Sequence, residues 1–330
     1  MKISIHIEPH IGYTYDDIIS IAKAAEDAGF YQFTVSDHFF GWIDGTELEC
    51  YDAWTILALL TPQTEKIRLG TVVTSQSYRN PAHLAKIVSN LDNASGGRID
   101  LGIGAGWKQP EYEAYGYPYP STKTRILQLR EAMQIINLLW TRERPSFEGE
   151  YYKIKETMFL PKPVQKPRVP IWVGTETLEA PMMEETAARY ADGVDFVKRR
   201  QGTVMDLTQK KDRMKIMCDQ VGRNFDDLMW STGINVAVIG EDADDFENRK
   251  RDAVKEEWPH KYFTEDLRKK MIEAGCTQDL AGPPDSVVDR LLQYKDHVDV
   301  FSIGLPFVGN VRKNGLDTIR ILKEHIVLRL

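Results

Sequence analysis

The chain has 330 residues, 42% hydrophobic and 28% charged, with a formal net charge of −7. Those fractions suit a globular core and exclude a disordered chain, and the acidic balance argues against a duplex-binding surface. The longest near-apolar run, residues 53–60, falls far short of the roughly 18–20 residues a membrane span needs.

Taken in order, the chain alternates strand and helix patterns. Residues 2–8 alternate apolar and polar positions and predict a strand. Ile18, Ile19, Ile21, Ala22 and Ala25 give residues 16–28 a helical stripe, with Gly29 as its stop. Residues 31–36 predict a second strand, 52–60 a helix and 67–74 a third strand. Pro81 opens a helix over 82–93. A fourth strand over 98–103 runs into Gly102-Ile103-Gly104-Ala105-Gly106, and 124–140 predict a long helix. Residues 145–170 hold five prolines and one strand-like stretch, 151–154, and read as a hairpin insertion. Alternation then resumes: strands over 169–174, 193–197, 229–239 and 299–305, with helices over 182–190, 204–221, 243–257, 264–274, 284–294 and 316–327.

Eight strands, each followed by helix, predict a parallel sheet, and at this length a closed (β/α)8 TIM barrel with insertions. An open doubly wound sheet would want a glycine fingerprint after its first strand, where this chain has Glu8-Pro9-His10-Ile11-Gly12. The expectation is one domain spanning residues 1–330, with the insertion around 145–170 and a helical excursion around 257–280. The N-terminal stretch carries Glu8 and lacks a signal-peptide plan. Cys50, Cys218 and Cys276 are far apart and form no CxxC. Both features point to a cytoplasmic protein without structural zinc.

In a barrel the chemistry sits at the C-terminal strand ends. Glu8 and His10 follow the first strand, and Asp37 and His38 the second, with Phe39, Phe40 and Trp42 beyond. Thr74, Ser75, Tyr78 and Arg79 follow the third. Gly104, Ala105, Gly106, Trp107, Lys108 and Glu111 follow the fourth, and Thr175, Glu176 and Thr177 the fifth. Metal is not expected. His6 and His10 straddle a strand end with Pro9 between, whereas ligands sharing a strand face are two apart. His6 reads instead as an interior residue held by hydrogen bonds. An imidazole such as His38 can exchange a proton near neutral pH or orient a reacting atom, or simply pack on the rim. The Gly102-x-Gly104-x-Gly106 stretch offers backbone that a planar ring can approach, or only a tight turn. The Gly174-Thr175-Glu176-Thr177 turn leads toward a helix N-terminus, where N–H groups can hold phosphate, although Glu176 sits awkwardly for an anion.

The segments Ala25-Glu26-Asp27-Ala28-Gly29-Phe30, Val35-Ser36-Asp37-His38-Phe39 and Ile67-Arg68-Leu69-Gly70-Thr71-Val72-Val73-Thr74 carry a resemblance. So do Tyr78-Arg79-Asn80-Pro81, Leu101-Gly102-Ile103-Gly104-Ala105-Gly106-Trp107, Pro170-Ile171-Trp172-Val173-Gly174 and Ala281-Gly282-Pro283-Pro284. In this order and over almost the whole chain they resemble the luciferase-like flavin and deazaflavin oxidoreductases, which are (β/α)8 barrels. Ser36-Asp37-His38-Phe39 followed by Trp42 resembles the branch that uses coenzyme F420 as a hydride carrier. The resemblance implies acid–base or orienting work for His38, with Trp42 packed near the substrate and Glu111 as the nearest carboxylate. It implies cofactor contacts from Asp37, His38, Val72, Val73, Thr74, Ala105, Gly106, Trp107, Gly174, Thr175, Glu176 and Thr177. It also implies a cis peptide between Val72 and Val73.

Two departures are visible. Where F420-dependent glucose-6-phosphate dehydrogenases carry a catalytic Glu, this chain has Trp107, and its fifth-strand turn lacks the usual Gly-Gly-x-Gly. The leading expectation is an F420-dependent oxidoreductase moving a hydride to or from a small organic substrate. Its rivals are an FMN-dependent monooxygenase of the same family and a non-catalytic flavin- or deazaflavin-binding protein. Acidic Asp44, Glu47 and Glu49 disfavour a strongly anionic substrate. Family members pair through helices beside the second and third strands, so a homodimer is expected, with neither nucleic acid nor membrane as partner.

Overall fold

The computed structural model describes residues 1–41, 48–196, 203–255, 264–306 and 310–329. Eight parallel strands close into a barrel: Lys2–Ile7, Gln32–Val35, Arg68–Thr71, Ile99–Gly104, Ile171–Thr175, Gly193–Phe196, Met229–Ile239 and Val300–Gly304. Closure is made where the first strand pairs with the eighth, Lys2↔Val300 through His6↔Gly304, as it also pairs with the second, Ser4↔Gln32 through Ile7↔Val35. All eight strands coincide with the strand patterns of the sequence, because each apolar alternation has one face to bury.

That buried face is the outer one. Ile3, Ile5 and Ile7 of the first strand join a single large core with the surrounding helices. The alternate residues Ser4 and His6 therefore point into the barrel. Its interior is polar: Ser4, Gln32, Thr34, Asp100, Asp195, Ser231 and Ser302 are all buried. His6 is one of them, its Nδ1 lying 3.0 Å from Thr34 Oγ1, as an interior histidine should. Arg68 clamps Asp100 with two 2.7 Å hydrogen bonds, and Gln32 adds a third of 2.8 Å.

The helices start where the chain supplies caps. Helix α1 (Tyr15–Asp27) opens with a Thr14–Asp17 capping box, and α2 (Ala53–Leu60) with the Asp52 carboxylate. Helix α3 (Pro81–Ser95) begins on Asn80 and Pro81, and stops at Gly96 in the left-handed conformation. Helix α4 (Gln109–Ala114) is a short element after the fourth strand, followed by α5 (Thr122–Thr141). The insertion forms a two-stranded antiparallel hairpin, Phe147–Glu148 with Lys153–Ile154. Helices α6 (Pro181–Tyr190) and α7 (Val204–Val221) flank the sixth strand. Helices α8 (Ala243–Lys255) and α9 (Glu265–Gln278) follow the seventh.

The third strand ends at Thr71, short of the predicted 74, α4 has no counterpart among the predicted elements, and two further details differ. Leu280–Gly282 forms a short extra strand on the seventh, Val236↔Leu280, although three residues are too few to show an alternation. The final helix starts at Val311 and changes to a wider turn over Leu322–Ile326. Among the described residues no helix is long and apolar enough to cross a membrane.

Candidate active site

At the barrel mouth, the loops after the second and fourth strands meet on one carboxylate. Glu111 lies in the first turn of α4 and is fully buried. One oxygen, Oε2, sits 2.9 Å from His38 Nδ1 and accepts a 2.7 Å hydrogen bond from the Tyr78 hydroxyl. The other, Oε1, accepts from the Phe39 N–H at 2.7 Å, the Phe40 N–H at 3.2 Å and Lys108 Nζ at 3.2 Å. Burial by itself would raise this carboxyl. The bonds from His38, Tyr78 and Phe39 and the attraction of His38 outweigh it and hold the group down at about 2. Glu111 is thus an anion at any working pH. Tyr78, pushed up by burial and by its bond to Glu111, stays a neutral donor.

This arrangement fixes His38 in three directions. Its Nδ1 faces Glu111, and its backbone oxygen accepts from the Cys50 thiol at 3.1 Å. Its ring meets His10 and Trp107 edge-on, at centroid distances of 4.9 and 5.9 Å. Burial, then the nearby Glu111, pushes the Cys50 thiol up to about 12, so it remains protonated. Lys108 also donates to the carbonyls of Phe40 and Gly41, at 2.6 and 3.0 Å, which ties the second-strand loop to α4. Phe39 stacks on Tyr115 at 4.2 Å and tilts against Tyr78 at 4.5 Å.

Beside it, Asp37 organises a second cluster. Its carboxylate is fully buried, bonded to the Thr74 hydroxyl and held by Arg79 at 2.6 and 3.2 Å. Arg79 also pairs with Asp52, the cap of α2, so one guanidinium joins the loops after the second and third strands. What Asp37 offers at the mouth is therefore a rigid backbone, since its carboxylate is already occupied.

Between these loops lies an apolar ledge. The Val72–Val73 peptide is cis, as the family resemblance implies. Both valines are half-buried, and the Val73 side chain covers Gly104 and Gly174. A Cβ on Gly174 would come within 2.8 Å of Val73 Cγ1, and one on Gly104 within 3.0 Å of Val73 Cγ2. The glycines at 102 and 104 thus leave room for the protein's own Thr71 backbone and Val73 side chain, rather than directly for a ligand ring. Further along, Tyr112 and Ser75 share a 2.6 Å hydrogen bond beneath Gly106, whose carbonyl accepts from Arg125 at 3.1 Å. Ala105 and Gly106 are half-buried, while the Trp107 indole stands 53% exposed.

The fifth-strand turn completes the rim. Gly174 and Thr175 are half-buried, and Glu176 and Thr177 are exposed. Behind them is Lys210, which the sequence shows only as half of a basic pair. It is fully buried and donates to the carbonyls of Thr177 and Leu178 and to Glu184. Trp42, Asp44, Glu47, Lys198 and Phe307 lie outside the described residues. Among those described, no group of three or more His, Cys, Asp or Glu side chains is arranged to hold a metal ion.

The structure therefore brings His38, Glu111, Asp37, Thr74, Val72, Val73 and Trp107 around one mouth. Glu111 reaches it as the partner of His38 and the anchor of a loop, not as an exposed acid. Sequence reasoning assigned no role to Tyr78, Arg79, Lys108 or Lys210. Tyr78-Arg79-Asn80-Pro81 stood out as a segment, and Lys108 precedes Glu111 by one helical turn. Those are the signals that could have found them.

Residues 1–299 match the model of a family described as luciferase-like monooxygenase. Over 218 residues the chain is 33% identical to the F420-dependent glucose-6-phosphate dehydrogenase of Tsukamurella paurometabola, covering 64% of this chain and 62% of that protein. A second such dehydrogenase, from Amycolatopsis mediterranei, is 31% identical, with 54% of this chain and 52% of that protein covered. The chain thus spans between half and two-thirds of the length of these curated relatives. Among solved structures, the monooxygenase RslO1 from Streptomyces bottropensis superposes with a TM-score of 0.80 at 22% identity, over 99% of both chains. An F420-dependent secondary alcohol dehydrogenase in complex with an F420–acetone adduct gives 0.77 at 20% identity, over 99% of this chain and 98% of that one. At these identities the structural likeness is one of fold.

Proposed function

The chain belongs to the luciferase-like monooxygenase family, and on that premise we propose that it is an F420-dependent oxidoreductase acting on an alcohol or its carbonyl counterpart. The observation that carries the reading is His38 Nδ1 held 2.9 Å from a fully buried Glu111, whose carboxyl its donors keep well below the ordinary range. The curated relatives named above as F420-dependent dehydrogenases support the choice of cofactor.

The residues present fit such a group. A half-buried apolar ledge, Val72–Val73, suits the face of a planar ring, and the backbone of Ala105 and Gly106 lines the adjacent rim. Asp37 and Thr74 hold the ledge's flank rigid through Arg79. The turn at Gly174, Thr175, Glu176 and Thr177 offers backbone N–H groups to a phosphate. When bound, F420 supplies a carbon that accepts or returns a hydride.

The chain's own residues handle the proton. An anionic Glu111 accepts a hydrogen bond from Nδ1–H, so it selects the tautomer whose Nε2 carries the lone pair. His38 Nε2 then takes the proton of an alcohol hydroxyl in the oxidative direction and returns it in the reverse. Tyr78, Lys108 and the Phe39 and Phe40 N–H groups keep Glu111 from turning away. The indole of Trp107 shields the mouth where the glucose-6-phosphate dehydrogenases resembled here carry a Glu. His38 is thereby the acid–base residue of this chain.

Exposed Glu49 favours a neutral substrate over a sugar phosphate. A homodimer through α2 and α3 belongs to the same reading, supported by exposed Leu59 and half-buried Ala82 and Ile87. A cytoplasmic location belongs to it as well. The test is a pair of titrations of the purified protein with F420 and with FMN, read by tryptophan quenching. Tight F420 and weak FMN binding is the expected result. The reverse order would replace the reading with an FMN-dependent monooxygenase. F420 binding without turnover of any alcohol or carbonyl would leave a binding protein.

A further inference from the structure

The proton chemistry uses the His38 side of the mouth and leaves a polar wall on the first, seventh and eighth strands without a task. Asn235 of the seventh strand and His6 of the first each pair with Gly304 of the eighth, so the three stand side by side at one level of the barrel. Trp230 and Val236 of the seventh strand join the outer core, so the alternate residues, Asn235 among them, point inward. A Cβ on Gly304 would overlap Asn235 Oδ1 and lie 3.1 Å from its Cγ. The glycine thus lets the Asn235 amide lean across the eighth strand toward the first. Asn235 is half-buried, and among the described residues its side chain has no hydrogen-bond partner.

The first strand supplies the complement. Glu8 follows His6 by two residues in extended backbone and so shares its face. Its Oε1 lies 3.4 Å from His6 Nε2 and its Oε2 3.6 Å from His10 Nδ1, so two imidazoles flank the carboxylate. The His10 ring is 4.9 Å from that of His38, which sets this wall within a small molecule's reach of the proton-handling ring. Two strand spacings, about 10 Å, separate Asn235 from the first strand, and the side chains reaching in from both ends narrow that gap. An amide both donates and accepts, while a carboxylate only accepts, at about four lone-pair positions. The group that answers both is a neutral hydroxyl. Glu8 repels a phosphate or carboxylate, and a methyl group leaves the amide without a partner.

We propose that Asn235 and Glu8 form a specificity site for a second hydroxyl of the substrate. The chain then acts on a neutral compound with a hydroxyl on the carbon next to the reacting one, a vicinal diol or its α-hydroxy carbonyl counterpart. This deepens the F420 reading above and rests on it. The Asn235 amide donates to the oxygen of the second hydroxyl, and that hydroxyl donates to Glu8. The second hydroxyl is bound and not transformed, while the first faces His38 Nε2. A mono-alcohol of the same skeleton leaves the wall unused and is the poorer substrate.

The test pairs cyclohexane-1,2-diol with cyclohexanol, and propane-1,2-diol with propan-2-ol, on the full-length wild type, Asn235→Ala and Glu8→Gln. It takes two readouts: kcat/KM with F420, and binding of each compound to the protein alone by NMR titration. Wild type should prefer each diol by about tenfold or more, as a site built for a hydroxyl rejects the analogue lacking it. In each variant the ratio of diol to mono-alcohol should fall to near one. General loosening of the fold would lower both members of a pair alike, so the ratio isolates recognition. Should one variant fail to fold, the other carries the same prediction. A wild-type ratio near one, or a preference that survives both substitutions, overturns the inference alone. Glycerol 3-phosphate preferred to propane-1,2-diol would show that Glu8 admits an anion, and overturns it as well. Wild type that neither binds F420 nor turns over any alcohol overturns the functional reading instead. The NMR titrations then decide the inference: diol binding abolished by Asn235→Ala supports it, and no binding, or binding that persists in the variant, overturns it.

Discussion

Two buried glutamates, each in the first turn of a helix at the barrel mouth, do different work. Glu111 on α4 holds the loop after the second strand, and Glu184 on α6 holds the turn after the fifth. Both carboxyls lie below their ordinary value, because donors outweigh burial. The difference is in the donors. Glu184 faces the amine of Lys210 and the guanidinium of Arg213, and this cluster braces the turn. Glu111 faces His38 and Tyr78 as well as Lys108, so one of its partners is an imidazole, a ring with two nitrogens of distinct role. On the reading proposed above, the Glu111 carboxylate serves the reaction and the Glu184 carboxylate the scaffold.

That contrast can be broken in order of expected size. His38→Ala removes the proton-exchanging ring and should lower the hydride-transfer rate by about 10²–10⁴-fold, measured as the absorbance change of F420 with the best alcohol of a panel. Its thermal unfolding should fall somewhat, since the buried Glu111 carboxylate loses one donor, so the rates are compared at a temperature where both proteins are folded. If the rate survives, the acid–base assignment is wrong.

Glu111→Gln comes next, with a rate loss of about 10²-fold, because the amide no longer selects one tautomer of His38. The same variant sharpens the acid limb of stability. Glu111 drops from an ordinary 4.5 to about 2 on folding. Its contribution is thus fully present above pH ~4.5 and is lost as pH falls toward ~2, an effect of about 3 kcal/mol for the buried group. Chemical denaturation across that window should show wild type losing stability more steeply than Glu111→Gln. Parallel curves would contradict the burial and bonding described for Glu111.

Glu184→Gln should act on the other loop. With its anion gone, Lys210 is released from one side and the turn loosens, so the KM for F420 should rise by about tenfold while the catalytic step is spared. The smallest effect is expected for Gly174→Ala. Its Cβ would approach Val73 Cγ1 to 2.8 Å and displace the ledge. A stability loss of about 1–3 kcal/mol, read by urea unfolding, is the expected cost of that overpacking.

Much of the scaffold was legible from the chain alone. Apolar alternation found all eight barrel strands, because each strand buries one face against the helices. Helix α7 was found to the residue, its ends marked by Thr203 and Gly222. His38 stood out through its position after the second strand. The contacts that define the site were less legible, since they join residues far apart in sequence. Glu111 meets His38 across 73 positions, and no local pattern encodes that. Lys210 stands in the sequence only as half of a basic pair with Lys211, and only the fold brings it to Glu184, 26 positions away. The glycines at 102 and 104 have a packing cause: they admit Thr71 and Val73.

The measurement that bears most directly on this account is the split between kcat and KM in Glu111→Gln and Glu184→Gln, assayed side by side with F420 varied. The account predicts that Glu111→Gln loses kcat by about 10²-fold with KM for F420 nearly unchanged, and that Glu184→Gln raises KM with kcat within about twofold of wild type. Equal losses of kcat in the two variants, or a loss confined to Glu184→Gln, would contradict the division of the mouth into a reacting side and a holding side.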